Sequence, residues 1–253
     1  MSDLTGRVAV VTGASRGLGR EIAAGLAGRG ARVAEVARAG TRFRADVGRP
    51  EEVERVREEI VQELGPPLIL VNAAGMFGPV ALVRDSDPAE WVRTVLVDAV
   101  GPYLTCRAFL DGMLEAGYGR IVNLSSAAAL HPPGALNSAY GTAKAALNQF
   151  TRHLAAELTG TGVTANVIHP GDVKTDMWTD IRDRVAGLGP RGAAYQQWVE
   201  WVEETGGDPP EKAVELVLRI VEGETNGQFH WIEDPLQPPI PSWGEPVAAQ
   251  PWQ

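Results

Sequence analysis

The feature that most constrains this chain is a regular alternation of short apolar runs with longer stretches of helical periodicity. The predicted strands are residues 8–11, 32–37, 68–73, 120–125, 163–168 and 228–232. Apolar residues recur at helical spacing over residues 18–29, 50–64, 89–116, 138–159 and 210–222. Strands that are apolar throughout and joined by helices are typical of a parallel sheet covered on both faces. The sequence therefore predicts one α/β domain over residues 1–234, built on a doubly wound parallel sheet.

One connection in this pattern is unusually short. Only residues 38–41 separate the second strand, which ends at Ala37, from the next segment at 42–46. A parallel crossover needs about a dozen residues. We therefore expect the third strand and its helix to be reduced or missing, which leaves the second strand at the sheet edge. The charged Glu35 inside that strand is consistent with an edge position.

Composition excludes several classes of function. The net charge of -9 disfavours nucleic acid, because phosphates require a basic surface. The single cysteine, Cys106, cannot form an internal disulfide, and no Cys/His/carboxylate spacing predicts a metal site. The N-terminal apolar run is too short for a signal peptide or a membrane helix, so we expect a cytoplasmic protein without a membrane partner. The proline-rich residues 235–253 are predicted to form an extended C-terminal arm.

A glycine-rich loop, TGASRGLG at residues 12–19, connects the first strand to the first helix. Gly13, Gly17 and Gly19 permit a tight turn and a close approach of the backbone to a pyrophosphate. The N-terminus of the following helix offers N–H groups to the same anion. This loop predicts dinucleotide binding by a Rossmann fold.

The end of the second strand indicates which dinucleotide is bound. Enzymes that use NAD commonly carry an acidic residue there, which accepts hydrogen bonds from the ribose hydroxyls. Here the strand ends in Ala37 and Arg38, and the glycine loop contributes Arg16. Two guanidinium groups suit a 2′-phosphate. NADP(H) is therefore the predicted cofactor, with NAD(H) as the alternative.

The glycine loop also permits a different interpretation. GASRG at 13–17 matches the G-x-S-x-G nucleophile elbow of α/β-hydrolases, with Ser15 as the nucleophile. Asp172 and His230 follow in the order of a hydrolase triad. That elbow normally lies deep in the sheet and not on the first strand, so hydrolysis is the less favoured alternative.

Two pairs of residues near the middle of the chain are candidate catalytic residues. Tyr140 and Lys144 are four residues apart at the start of a predicted helix, so their side chains share one face. Ser125 and Ser126 lie at the carboxyl end of the preceding strand, and ligands of open α/β sheets bind at the carboxyl ends of the strands. A tyrosine beside an ammonium and a hydroxyl can exchange a proton with a carbonyl oxygen. These residues argue against a protein that binds a nucleotide without catalysis.

Together these motifs resemble the short-chain dehydrogenase/reductase family over residues 5–232. The motifs that carry the resemblance are TGASRGLG, the Asn-Ala-Ala-Gly at 72–75, Tyr140 with Lys144, and Pro-Gly at 170–171 followed by Thr175 and Asp176. The resemblance implies an enzyme that transfers a hydride between nicotinamide and a small carbonyl or alcohol substrate. It places the catalytic serine at Ser126, with Ser125 and Ser138 as alternatives.

The resemblance also implies a set of cofactor-binding residues. They are Gly13, Ser15, Arg16, Gly17, Leu18, Gly19, Arg38, Asp46, Val47, Asn72, Ala73, Ala74, Gly75, Tyr140, Lys144, Pro170, Gly171, Val173 and Thr175.

The proposed proton donor requires activation, because free tyrosine has a pKa of ~10. The ammonium of Lys144 and the positive nicotinamide both favour the phenolate, so we expect the pKa of Tyr140 to be lowered. The family implies a further role for Lys144 in binding the nicotinamide ribose.

Asp98 departs from the family pattern, which has an asparagine that holds a water linked to the catalytic lysine. We expect Asp98 to keep this place in the catalytic set, within one water of Lys144, and to add a charge that favours its ammonium form. In the alternative, Asp98 faces solvent or pairs with a basic residue such as Arg107.

The family resemblance implies a substrate lid over residues 177–207. We expect this segment to lack regular structure and to supply Trp178, Tyr195, Trp198 and Trp201 as apolar contacts, unless the last two only anchor a helix.

In the long helices predicted at 89–116 and 138–159, the apolar residues cover more than one face of the helix. As in the family, they are expected to pair in a homodimer or homotetramer.

Overall fold

The computed structural model describes residues 4–130 and 134–232, so the predicted arm at 235–253 lies outside the described residues. Its strands form one sheet in which every pairing is parallel. The strands are β1 (Val8–Thr12), β2 (Arg32–Ala37), β3 (Phe43–Arg44), β4 (Pro67–Asn72), β5 (Gly119–Leu124), β6 (Val163–His169) and β7 (Phe229–Trp231).

The order of strands in the sheet is β3-β2-β1-β4-β5-β6-β7. The chain moves outward in one direction from β1 to β3 and then returns to β4 on the other side of β1. Ligands of such sheets bind at the carboxyl ends of the strands where this reversal occurs. The predicted doubly wound α/β fold is confirmed.

Eight α-helices connect and cover the strands in the described part of the chain. They are α1 (Gly17–Gly28), α2 (Pro50–Leu64), α3 (Pro88–Val95), α4 (Gly101–Glu115), α5 (Ser138–Glu157), α6 (Asp176–Val185), α7 (Ala193–Thr205) and α8 (Pro210–Glu222). A π-helical turn, Leu96–Val100, joins α3 to α4, so the helix predicted at 89–116 has three parts. None of the described helices is both long and apolar enough to cross a membrane.

The sheet is buried on both faces because each face packs against its own set of helices. On one face, α1 and α8 place Ile22, Leu26, Leu216 and Ile220 against the sheet. On the other face, α2, α4 and α5 contribute a second apolar cluster, which includes Val56, Ile60, Phe109, Met113 and Leu154. The residues of β5 and β6 are buried throughout, as two-sided cover requires.

The third strand is reduced, as predicted. No helix lies between β2 and β3, and β3 has two residues, which pair with Val36 and Ala37. The expectation that β2 forms the sheet edge is wrong at this end, because β3 lies outside it. Among the described residues, the part of β2 before Val36 has no neighbouring strand on that side, and Glu35 is exposed.

The expectation that residues 177–207 lack regular structure is wrong. This segment contains most of α6 and all of α7. Helix α6 buries Trp178, Ile181 and Val185, which recur at helical spacing on one face. In α7, Trp198 packs against the apolar cluster around the site, whereas Trp201 is 45% exposed. The lid segment is therefore a pair of helices.

Candidate active site

A cavity of about 700 Å³ opens at the carboxyl ends of the strands, between the glycine loop and α6. It brings together nearly all the residues predicted to bind a cofactor. Those that line it are Gly13, Ser15, Arg16, Gly17, Leu18, Gly19, Arg38, Asp46, Val47, Ala73, Ala74, Gly75, Tyr140, Lys144, Pro170, Gly171, Val173 and Thr175.

Asn72 is the exception among the predicted cofactor residues. Its side chain is buried and does not line the cavity. It donates a hydrogen bond to Oδ1 of Asn123 at 2.8 Å and accepts one from Thr105 Oγ1 at 2.7 Å. The side chain of Asn72 therefore links β4 to β5 and α4 inside the protein.

The glycine loop requires its glycines for steric reasons. Gly13 has a φ of +70°, and a Cβ there would lie 2.7 Å from the backbone of Ala74. A Cβ on Gly19 would lie 2.4 Å from the carbonyl oxygen of Gly13. Helix α1 begins at Gly17 without a side-chain cap, so N–H groups of its first turn remain for an anion. The loop and cavity therefore fit the pyrophosphate of a dinucleotide.

Three arginines line the cavity. Arg16 forms an exposed ion pair with Asp176 of α6 at 3.3 Å, and Arg38 follows β2. Arg93 of α3, which was not among the predicted site residues, pairs with Asp46. Burial raises the pKa of Asp46, but hydrogen bonds from Arg93 and Gly48 and the charges of Arg93 and Arg38 outweigh it, so the pKa is lowered.

Tyr140 lies in the first turn of α5 and is 9% exposed. The Ser126 hydroxyl interacts with that of Tyr140 and lowers its pKa, and Ser126 Oγ accepts the Ala128 N–H at 3.1 Å. Ser125 is buried, and its Oγ has no hydrogen-bond partner among the described residues. Ser138 instead accepts a hydrogen bond from Trp91. Of the three candidate serines, only Ser126 affects the pKa of Tyr140 in the described residues.

Lys144 lies one turn after Tyr140 on the same face of α5. Its Nζ is 5.5 Å from the centroid of the Tyr140 ring and donates a hydrogen bond to the Leu124 carbonyl at 2.9 Å. The same Nζ lies 3.2 Å from Oδ2 of Asp98, and the two side chains are 5% and 0% exposed. The ammonium is therefore held between a carbonyl and a buried carboxylate.

Asp98 contacts Lys144 directly, and not through a water as expected. It lies in the π-helical turn between α3 and α4, and its Oδ1 accepts the Met76 N–H at 2.9 Å. The alternative interpretations are wrong, because Asp98 is fully buried and Arg107 pairs with Glu54. A π-helical turn shifts the register of the helix by one residue, and such turns are frequent at functional sites.

The charges around Tyr140 do not act as expected from the sequence. Burial raises the pKa of Tyr140. The Lys144 charge and the Ser126 hydroxyl lower it, while the charges of Asp98 and Asp172 raise it further. In the protein alone the pKa of Tyr140 is therefore raised, not lowered, because burial and two carboxylates outweigh one ammonium. Burial lowers the pKa of Lys144, but Asp98 and Tyr140 outweigh burial and raise it, so the ammonium form is favoured.

The residues of the alternative hydrolase site do not assemble. Ser15 is exposed on the glycine loop and makes no hydrogen bond to any histidine among the described residues. Within the same residues, no group of three or more His, Cys, Asp or Glu side chains could hold a metal ion.

Comparison with known proteins decides between these interpretations. The family model for short chain dehydrogenases matches residues 7–186, which include the glycine loop, Ser126, Tyr140 and Lys144. The chain belongs to the short-chain dehydrogenase family. It is therefore an oxidoreductase that acts on carbonyl or alcohol groups, and the hydrolase interpretation is wrong.

Individual relatives support the assignment over most of the chain. The 3-oxoacyl-(acyl-carrier-protein) reductase FabG of Pseudomonas aeruginosa is 38% identical over 76% of this chain and 86% of its own. The D-beta-hydroxybutyrate dehydrogenase of Cupriavidus necator is 34% identical over 89% of this chain and 86% of its own. A variant of actinorhodin polyketide ketoreductase, solved with NADPH, has a TM-score of 0.80 at 27% identity and covers 89% of this chain and 95% of its own.

Several residues that line the cavity were not predicted from the sequence. Phe77, Arg93, His169 and Asp172 were not identified as site residues of an oxidoreductase, although all four line it. Phe77 lies in an irregular segment and its ring packs 4.9 Å from that of Tyr140. His169 and Asp172 flank the Pro-Gly motif at 170–171, which could have identified them, whereas the tertiary fold brings Phe77 and Arg93 to the site.

Proposed function

We propose that this chain is an NADP(H)-dependent oxidoreductase that transfers a hydride between nicotinamide and a carbonyl or alcohol carbon, with Tyr140 as general acid and base. The observation that carries the proposal is that Tyr140, Ser126 and Lys144 line the same cavity as a loop that fits a pyrophosphate, with the Lys144 ammonium 5.5 Å from the centroid of the Tyr140 ring. The cofactor, when bound, supplies or accepts the hydride.

The side chains around the carbonyl oxygen then have separate tasks. In reduction, negative charge develops on that oxygen, and the Tyr140 hydroxyl donates its proton there. The Ser126 hydroxyl donates a hydrogen bond to the same oxygen and stabilises its charge. Lys144 stabilises the tyrosinate that remains, and its ammonium is held in place by Asp98 and the Leu124 carbonyl. In oxidation, the tyrosinate accepts the alcohol proton instead.

The preference for NADP(H) rests on the charges beside the end of β2. Ala37 provides no carboxylate to repel a 2′-phosphate, and Arg16 and Arg38 both line this part of the cavity. Arg16 is paired with Asp176, but exposed ion pairs are worth little, so a phosphate can displace that carboxylate. A structural relative that was solved with NADPH supports the same choice.

The proposal is tested by NADPH consumption with a panel of ketones and aldehydes. With an active substrate, Tyr140→Phe should lower kcat by about 100-fold or more, because general acids typically contribute 10² to 10⁴. Tyr103→Phe is the matched control, since Tyr103 is an exposed tyrosine on α4. Activity that survives Tyr140→Phe within about tenfold would remove Tyr140 from the mechanism.

A further inference from the structure

The position of Tyr140 is not fixed by its own helix alone. Tyr140 lies in the first turn of α5, and the N-cap residue Asn137 makes no side-chain capping bond there. The first N–H groups of a helix have no partner within the helix. Leu136, just before Asn137, has a φ of +78°, which a leucine adopts only where the surrounding structure imposes it. The placement of the Tyr140 side chain therefore depends on contacts from outside α5.

The ring of Phe77 supplies one of these contacts. Its centroid lies 4.9 Å from that of the Tyr140 ring, and the two planes are inclined by 32°, closer to stacked than to edge-on. Phe77 is 7% exposed and belongs to the same buried cluster as Leu136 and Tyr140. A ring packed against Tyr140 opposes rotation about χ1 of the tyrosine, which would carry its hydroxyl away from the reacting carbonyl.

The backbone on both sides of Phe77 is held by hydrogen bonds. The Met76 N–H donates to Oδ1 of Asp98 at 2.9 Å. The Gly78 carbonyl accepts a hydrogen bond from Nη1 of Arg184, a residue of α6, at 3.1 Å. Phe77 is therefore carried by a fixed segment, and one of the bonds that fix it comes from the lid.

The lid also contacts the Phe77 ring directly, through Tyr195 of α7. The centroids of these two rings lie 5.9 Å apart and their planes are inclined by 84°. Such edge-to-face pairs are favourable because the positive edge of one ring meets the negative face of the other. Among the described residues, Phe77 lines the cavity and Tyr195 does not. A change at Tyr195 therefore acts on the site through its neighbours.

From these contacts we infer that Phe77 is a positioning residue for the proton donor, which holds the Tyr140 ring in place and is itself held by Tyr195 of the lid. The inference rests on the proposed function, because Phe77 has this task only if Tyr140 transfers the proton. Through this series of three rings, the position of α7 affects proton transfer at Tyr140, since a reacting group must be held in a defined geometry.

The test measures kcat and KM for ketone reduction, with the concentration of folded enzyme taken from the stoichiometry of NADPH binding in a fluorescence titration. Phe77→Leu keeps an apolar side chain but removes the ring. It should lower kcat by about tenfold or more, because small displacements of a reacting group are costly. KM should stay within about threefold, since the proton donor acts in the transition state.

Phe109→Leu is the matched control for the loss of a buried phenyl ring. Phe109 is a buried residue of α4, and it belongs to the other apolar cluster and does not line the cavity. Its replacement should leave kcat within about twofold of the wild type, because distant sites act independently.

Substitutions of Tyr195 test whether the lid acts through Phe77. Tyr195→Leu should lower kcat by roughly three- to tenfold with little change in KM, which corresponds to the loss of one aromatic pair. Tyr195→Phe keeps the ring and should retain the kcat of the wild type. Tyr103→Leu is the matched control, because Tyr103 and Phe150 form a pair of the same geometry, 5.9 Å and 85°, and neither lines the cavity.

A double-mutant cycle distinguishes this series of contacts from two independent effects. If Tyr195 acts through Phe77, the variant with both leucines should have the kcat of Phe77→Leu within about twofold. Effects of the two changes that multiply would overturn the inference. A Phe77→Leu variant that mainly raises KM would overturn it as well, because Phe77 would then serve only to bind the substrate.

Failure of the proposed function would look different. If no carbonyl compound is reduced, or if Tyr140→Phe retains kcat within about tenfold, the proposed function is overturned and the inference with it. If Tyr140→Phe is inactive while Phe77→Leu and Tyr195→Leu keep the kcat of the wild type, the inference alone is overturned.

Discussion

Replacing Asp98 by asparagine tests the most unusual contact in the site. The substitution keeps the shape of the side chain and an oxygen for the Met76 N–H, but it removes the charge beside Lys144. The oxygen and nitrogen that form this ion pair are 3.2 Å apart and buried. Two unit charges at that distance attract by about 5 kcal/mol at an effective dielectric constant near 20.

Removal of the Asp98 charge lowers the pKa of both Lys144 and Tyr140. Burial already lowers the pKa of Lys144, and Asp98→Asn removes the carboxylate that outweighs burial. The same carboxylate raises the pKa of Tyr140, so its removal lowers that pKa too while Lys144 remains charged. In reduction, the active form has a protonated Tyr140 and a charged Lys144. The alkaline limb of the pH profile should therefore move to lower pH.

The size of the shift follows from the same energy. About 1.4 kcal/mol corresponds to one pH unit, so even a quarter of the lost attraction moves the limb by about one unit. Near neutral pH, kcat should stay within about tenfold of the wild type, because the proton donor and its geometry remain. The assay is the pH dependence of kcat/KM and kcat for ketone reduction from about pH 5 to 10.

Asp111→Asn is the matched control, because Asp111 is an exposed acid on α4 and its replacement changes the net charge equally. It should leave both limbs in place. Coincident limbs for Asp98→Asn and the wild type would show that Asp98 is not coupled to the catalytic pair. An inactive, folded variant would show instead that the carboxylate itself is required.

Three further predictions concern the cofactor and the assembly. Arg38→Ala should weaken NADPH binding by about tenfold and leave NADH binding little changed, as measured by fluorescence titration; equal losses would contradict the 2′-phosphate assignment. Gly13→Ala should weaken binding of both cofactors by more than about tenfold, since its Cβ would collide with Ala74. Light scattering at micromolar concentration should show a dimer or tetramer. Tyr103→Glu replaces an exposed aromatic residue on α4 and should shift the protein toward the monomer. A monomeric wild-type protein would refute the predicted assembly.

Much of the fold was predictable because its signals are local. Helices α2 and α8 span the residues that the sequence predicted, and both begin at a proline, which is suited to a first turn. The short connection after Ala37 was enough to predict the reduced third strand, because chain length limits what a crossover can contain. The end of the long helix at 89–116 was also predictable, but its π-helical turn was not, since no residue marks it.

The lid shows where local patterning misleads. Helix α6 was not predicted, although Trp178, Ile181 and Val185 recur at helical spacing. Helix α7 was predicted only as the alternative in which Trp198 and Trp201 anchor a helix. That spacing was present in the sequence and could have predicted α6. The half-buried Trp198 and the exposed Trp201, three residues apart in α7, differ only because one faces the cavity.

Only part of the electrostatics of the site could be predicted from the sequence, namely that Asp98 favours the ammonium form of Lys144. The motif places Lys144 one turn from Tyr140, and from that pair alone a lowered tyrosine pKa follows. The structure adds burial, a carboxylate in direct contact with the lysine, and a second carboxylate at Asp172. Together they raise the pKa of Tyr140 in the protein without cofactor, where the sequence predicted a lowered pKa. A bound nicotinamide in its positive form would favour the tyrosinate again. The proton affinity of Tyr140 then depends on the redox state of the cofactor, so each direction of the reaction finds the tyrosine closer to the protonation state that it uses.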